Sequence, residues 1–553
     1  MDLPLPGRDR WLLELDLTRP MFDPPPTSPV ARVTQRGTPV VRTTLAALRR
    51  AGADSSVVGL IVRTGGPPQP LATAQELRTG LAGFRAAGKP VWAWAESFGE
   101  YGRGTVAYLL ASVADRIWLQ PSGDVALTGV AVEATFVREG LDRLGVATQF
   151  GARHEYKNAP NLFTETGFTD AHRQGVTALV ESIAEQVVAT VAAARGLSGD
   201  AVRECVDTAP LDATAALAAG LVDRLGYRDE VYAEIRRELG DVELRSLAHY
   251  GPGPGRRETL RRVVRRDRRQ VGLIDVSGTI RLGSDGRGGQ SRSAGSDRVC
   301  AALRAAARNE NVAAVVLRVD SPGGSYVASD TIWRATAQLG KPLVVSMART
   351  AASGGYFVAM SADRIVALPG TLTGSIGVFG GKFTIGELLN RLGVRYDAVS
   401  VGRRALHHSS RQPWDSDQLA AMEASLDRIY ADFTGKVAAA RGLDAAAVDA
   451  VARGRVWTGA DALRHGLVDE LGGLAEAGAA ARRLAGLPAN APVRQLPAPH
   501  PLAALRTPRS SEDPRAAAGS LWVAGWGSWS QLAESLRLPV AGPLTVPFGV
   551  VVG

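Results

Sequence analysis

The stretch VADRIWLQPSGDVALTGV, residues 113–130, returns as SADRIVALPGTLTGSIGV, residues 361–378. Around this pair other matches fall in the same order. RLGV at 143–146 recurs at 391–394, AAARGL at 192–197 recurs at 438–443, AAGLVDRLG around Gly220 recurs as RHGLVDELG around Gly466, and the turn Gly88-Lys89-Pro90 recurs as Gly340-Lys341-Pro342. Matches that keep their order and a nearly constant separation of about 250 residues indicate a duplicated domain, with a period far beyond any solenoid repeat. The expected organisation is one domain over 1–250, a linker over 251–270 that opens on Gly-Pro-Gly-Pro-Gly and continues into an arginine run, a second domain over 271–488, and a Pro/Ala-rich tail over 489–553.

Each half alternates two kinds of pattern. In the second half VGLIDVSGTI and VAAVVLRVD are β-branched runs that predict strands. SYVASDTIWRATAQL has helical spacing, PLVVSMA predicts another strand, RTAASGG a turn with a helix beginning near Gly355, DRIVALP a strand, and 416–440 a long helix. Short strands separated by helices predict an α/β domain with a largely parallel sheet.

Composition agrees with a globular chain. Of 553 residues, 45% are apolar and 22% charged. The net charge of +9 is carried by arginine, because lysine occurs only at positions 89, 157, 341, 382 and 436. Such a balance would suit an anionic partner such as a phospholipid surface or nucleic acid, but a solvated arginine-rich exterior is the favoured reading, and no nucleic-acid partner is expected. Cys205 and Cys300 lie in dissimilar contexts without metal-type spacing. His407-His408 has no further ligand at suitable spacing, so no metal is expected. Neither a signal peptide nor a run of about 18 uninterrupted apolar residues is visible.

Matched positions that differ between the halves suggest a division of labour. Registering Tyr356 on Tyr108 puts Ser353 opposite Thr105. Matching Gly374 to Gly129 puts Ser375 opposite Val130, and Lys157 falls opposite Arg404 or Ala405. The hydroxyls are in one half and the lysine is in the other. A serine needs a base to become a nucleophile. A lysine amine serves only when neutral, and moving its pKa from about 10.4 to about 7 takes roughly 4–5 kcal/mol of differential destabilisation of the ammonium, within reach of burial away from carboxylates. Glu155, beside Lys157 in the chain, must therefore point away. An oxyanion also needs two backbone N–H donors. Gly354 follows Ser353, and the turn Ser321-Pro322-Gly323-Gly324-Ser325 is expected to supply the second. The scattered histidines offer no Ser–His–Asp arrangement, and an SPGG turn without a following Gly-Lys-Ser/Thr is no phosphate loop.

VDSPGGSYVASD, TAASGGYF and TLTGSIGVFGG, together with YKNA in the first half, resemble the SppA-type signal peptide peptidases of serine peptidase family S49, in their long tandem-domain form. The resemblance implies a crotonase- or Clp-protease-like fold. It implies a serine endopeptidase acting on remnant signal peptides or other apolar peptides without a cofactor, and a homo-oligomer (a tetramer) that is membrane-associated or in peripheral membrane contact. Carried over residue by residue, it places the nucleophile on Ser353, the general base on Lys157 and the oxyanion donors on Gly324 and Gly354, with Gly323 beside them and Ser375 bonding the lysine. The long bacterial form begins with a membrane anchor that this sequence does not display, so a cytoplasmic or peripheral location is also open. An acyl-CoA enzyme of crotonase type would use acidic residues instead, and a non-catalytic scaffold would not need both Ser353 and Lys157.

Overall fold

A computed structural model describes residues 10–25, 38–66, 69–100, 102–250, 269–284 and 293–496, together with two short strands at Leu544–Thr545 and Val551–Val552. The arginine-rich run of the linker and most of the tail lie outside the described residues. The chain clusters into two compact units. One comprises residues 1–131, 181–268 and 550–553, and the other residues 132–180 and 269–549. The second unit therefore takes in a segment of the first sequence half, and Lys157 is on that segment.

The first unit is built on a six-stranded sheet in the order Glu243–Ser246, Trp11–Asp16, Val57–Arg63, Val91–Ala95, Arg116–Leu119 and Arg224–Leu225, with every pair parallel. A parallel sheet must be covered on both faces, and strand periodicity divides its residues accordingly. Leu13 and Leu15 face a core with Leu48, Leu77 and Val187, while Leu12 and Ile61 face Trp92, Trp94 and Ile235.

The sheet of the second unit repeats the plan. Val493–Gln495, Gln270–Ser277, Val312–Ser321 and Leu343–Ala352 run parallel, and Arg364–Ala367 continues from the last of these to Glu470–Leu471. Again alternate residues diverge. Val315, Leu317 and Val319 pack in one core, whereas Ala314 and Val316 pack in the other. Two details differ from the sequence reading. The strand expected to end at Ala348 runs on to Ala352, because Thr350–Ala352 pair with Leu372–Gly374. Val493–Gln495, inside the stretch read as tail, is an edge strand pairing with Val271–Leu273.

Polar contacts are duplicated with the fold. Tyr108 donates its hydroxyl to the Leu221 carbonyl, as Tyr356 does to Leu467. Arg195 clamps Asp223, as Arg441 clamps Asp469. Lys89 donates to the carbonyls of Ala51 and Asp54, and Lys341 to those of Ala306 and Asn309. Cys205 and Cys300 are buried free thiols. The helix Asp170–Arg195 has an 18-residue window of mean hydropathy 1.4, long and apolar enough to cross a membrane by that measure alone. Its residues Ile183, Val187, Val188 and Val191 are buried in the first unit's core, which accounts for its apolar face.

Candidate active site

The strand Leu343–Ala352 is buried between two neighbours and delivers Ser353 at its C-terminal end, where open α/β sheets gather their ligands. Ser353 has φ 56°, and the helix Gly354–Ala359 starts immediately after it. A positive φ is costly for a residue with a Cβ, on the order of 1–3 kcal/mol, so the surroundings must impose it. Here the Ser353 N–H donates to the Gly374 carbonyl (2.8 Å), while its own carbonyl accepts from Phe357 N–H (2.9 Å). The neighbouring turn places Gly374 at φ 73° and Ser375 at φ 51°.

Lys157 arrives on another segment of the same unit. Ala147–Arg153 pairs antiparallel with Val378–Thr384, and Arg153 stands opposite Val378. Antiparallel register carries the chain beyond Arg153 alongside the residues that precede Val378. Lys157 thereby comes to Ser375, with Nζ 3.0 Å from Ser375 Oγ and 3.2 Å from its carbonyl oxygen. The same Nζ lies 2.8 Å from Ser353 Oγ. Lys157 is 3% exposed and Ser353 fully buried.

Burial alone pushes the Lys157 amine down to about 7, and no carboxylate among the described residues opposes it. Glu155 points outward and pairs with Arg453 at 3.0 Å. Lys436 behaves oppositely. It donates to Asp330 and Asp432, and these carboxylates hold its pKa above the ordinary lysine value against the burial that would lower it. One residue type thus has opposite protonation tendencies in the same unit, set by the presence or absence of an acid.

The glycines singled out in the sequence converge here. Gly323 and Gly324 have φ 102° and 152°, and a Cβ on Gly324 would lie 2.1 Å from the Ile280 carbonyl oxygen. A Cβ on Gly354 would lie 3.1 Å from Gly323 Cα and 3.2 Å from Gly324 N, so the two turns meet backbone to backbone. Asp320 was not anticipated. Buried at the end of its strand, it accepts from Arg349 (2.6 and 2.8 Å) and from Thr350 N–H, tying the adjacent strand ends together. Leu544–Thr545 runs antiparallel to Gly323–Gly324.

One register needs correction. The ladders pair Leu372 with Thr458 and Asp124 with Asp212, and Gly374 with Val456. Since Thr458 and Asp212 occupy the same place in the two repeats, Ser375 corresponds to Leu127 and not to Val130. A glycine-to-glycine match had slipped the alignment by three residues. The sequence reading also passed over Arg453-Gly454-Arg455, whose carbonyls accept from Tyr156 and Ser375 N–H. Extending the comparison of repeats to Asp207-Thr208-Ala209 would have found it.

Comparison with known proteins identifies the family. The model of Peptidase family S49 matches residues 83–242 and 335–488, one segment in each repeat. Protease 4 of Salmonella typhi is 33% identical over 459 residues, covering 80% of this chain and 71% of that protein. Protease 4 of Haemophilus influenzae is 31% identical, covering 72% and 65%. A chloroplastic serine protease SPPA of Arabidopsis thaliana is 29% identical, covering 75% and 61%. The chain thus spans 61% of the length of the Arabidopsis relative. Among solved structures, a mutant ClpP1 chain from Listeria monocytogenes matches 37% of this chain and 94% of its own length at 13% identity, with a TM-score of 0.25 that adds nothing to the fold assignment. The two matched segments and the relatives identical at about one residue in three establish that this α/β chain, with its tandem repeats, belongs to Peptidase family S49.

Proposed function

We propose that the protein is a serine endopeptidase with a Ser–Lys dyad that cleaves remnant signal peptides or other apolar peptides. The observation carrying this reading is the 2.8 Å approach of Lys157 Nζ to Ser353 Oγ in a buried site where no acid among the described residues holds the amine charged. The neutral amine takes the Ser353 hydroxyl proton as Oγ attacks the scissile carbonyl carbon. Backbone N–H groups of Gly324 and Gly354 bind the resulting oxyanion. The Lys157 ammonium then protonates the departing amine, leaving an acyl-serine and a neutral lysine. The lysine next takes a proton from water as it attacks the ester, releasing the acid and restoring Ser353. Ser375 orients Nζ. A fluorophosphonate probe tests the assignment. Labelling should occur in the wild type and disappear in both Ser353→Ala and Lys157→Ala, and an unlabelled wild type would refute it.

We further propose that the sequence repeats 1–250 and 271–488 are the ancestral units and that copies of the chain associate, as the resemblance to tetrameric peptidases implies. The strand Ala147–Arg153 pairs with Val378–Thr384, yet its counterpart at 395–401, located through the shared RLGV, has no strand partner among the described residues and leaves Val399 and Val401 100% and 96% exposed. Its natural partner is the counterpart of Val378–Thr384 in another copy, which begins at Val130. In this chain Val130–Ala131 is paired with Val551–Val552, so association would exchange that strand. Sedimentation should show an oligomer that Val399→Lys with Val401→Lys dissociates. A monomeric wild type at micromolar concentration would count against it. Membrane association is tested by whether the protein pellets with membranes.

A further inference from the structure

Among the described residues, non-glycine positive φ occurs at three places: Ser353, Ser375 and Arg453 (58°). Backbone strain of this kind persists where surrounding contacts over-determine it, and it gathers at functional sites. The first two residues belong to the dyad region. The third opens a turn that touches the Lys157 segment and the Ser375 turn.

The contacts of that turn are specific. The Arg453 carbonyl accepts from Tyr156 N–H (3.2 Å), Gly454 N–H donates to the Ile376 carbonyl (2.8 Å), and the Arg455 carbonyl accepts from Ser375 N–H (2.6 Å). Gly454, at φ 89°, lies directly on the lysine backbone, where an added Cβ would stand 2.4 Å from Lys157 N and 2.6 Å from its Cα. The side chains close around Tyr156. The Arg455 guanidinium lies 3.8 Å from the ring centroid and donates to the hydroxyl, which donates in turn to Gln174. Arg453 grips Glu155 and Asp449.

We propose that the turn Arg453-Gly454-Arg455 is a positioning device for the general base, a single bracket that fixes the backbones of Tyr156–Lys157 and of Ser375 so that Nζ meets Ser353. The physical need is plain. Lys436 is anchored at its tip by two carboxylates. A base that must stay neutral has no such anchor, so beyond the uncharged contacts of Nζ with Ser375 its long flexible side chain is located from the backbone end. The first repeat supports this. Where Gly220–Asp223 is matched to Gly466–Asp469, the bracket is replaced by Asp207-Thr208-Ala209, in the half that has Thr105 in place of the serine.

The inference rests on the Ser–Lys reading, and the test separates the two. The full chain is reacted with a fluorophosphonate across pH 5.5–9.5, as wild type, Ser353→Ala, Gly454→Ala, Arg455→Met and Arg455→Lys, with a thermal melt of each. The ionisable groups around the lysine loop are His154, Glu155, Tyr430, Asp449, Arg453 and Arg455, and the Arg455 variants leave the Glu155–Arg453 pair intact. Gly454→Ala should slow labelling about 100-fold, the order expected for displacing a reacting group by about 1 Å. Arg455→Met should lower the maximal rate about tenfold without altering probe saturation and should shift the pH profile, with Arg455→Lys recovering part of the loss. If Gly454→Ala does not fold, the Arg455 pair decides. Arg455→Met that reacts like wild type with an unchanged profile overturns the bracket alone, provided Ser353→Ala is unlabelled. Labelling that survives in Ser353→Ala overturns the dyad reading and the bracket with it.

Discussion

The two repeats share a sheet order, a buried tyrosine bonded to the same carbonyl and an arginine–aspartate clamp, yet they differ at the strand end where a reactive group could stand. At that place the first repeat has Thr105, buried at the start of the helix Thr105–Ala111, and the second has Ser353 at φ 56°. Leu127 stands where Ser375 does, and Asp207-Thr208-Ala209 where Arg453-Gly454-Arg455 does. Among the described residues the same sheet plan thus carries non-glycine positive φ in one copy and not in the other. Duplication supplied a scaffold twice, and the second unit, with a borrowed segment carrying Lys157, concentrates the chemistry.

The sharpest way to break this comparison is to exchange hydroxyls. Ser353→Ala should reduce hydrolysis of an apolar peptide by at least about 1,000-fold, whereas Thr105→Ala should leave the rate within about twofold, as measured by steady-state assay. A comparable loss from Thr105→Ala would show that the first repeat also reacts.

Lys157→Met probes the cost of the buried amine. The folded-state pKa of about 7 lies below the unfolded value of 10.5, so between those values the unfolded chain binds more protons and wild-type stability rises with pH. Below pH 7 the wild type bears the full penalty of burying an ammonium. The variant should therefore be inactive but more stable at pH 6, by up to about 4–5 kcal/mol, with the gain fading toward pH 10.5. Denaturation at pH 6 and pH 9.5 reads the difference, and an equal gap at both would refute a neutral lysine. Wild-type labelling by the fluorophosphonate should rise through pH about 7 and then level off.

Removing the helper hydroxyl is a smaller change. Ser375→Ala deletes one of three polar contacts to Nζ and should lower the maximal rate about tenfold while KM holds. The smallest effect belongs to the silent repeat. Thr105 Oγ1 is buried without a hydrogen-bond partner among the described residues, so Thr105→Val should keep activity and raise stability by about 1 kcal/mol, visible as a slightly higher Tm.

Much of this was legible in one dimension. The α/β class followed from β-branched runs such as Val312–Asp320 alternating with helical spacing, because burial on both faces of a parallel sheet demands such runs. Ser353, Ser375 and Lys157 were visible as differences between duplicated segments, and the glycine turns as turns at strand ends, since reactive side chains and positive-φ glycines leave a mark on residue identity. The register of Ser375 against Leu127 was not visible, because two glycines offered a false match that only ladder pairing removes.

The sequence by itself determined which residues could react and that the chain is a fold made twice. Tertiary structure alone decided that an amine and a hydroxyl 196 positions apart would meet, that no acid would intervene, and that a turn at 453–455 would brace them. The reason is physical. Nucleophile and base are properties of side-chain chemistry, written in the residue. Distance, desolvation and backbone strain arise only when the antiparallel pairing of Ala147–Arg153 with Val378–Thr384 closes the loop between them and excludes water.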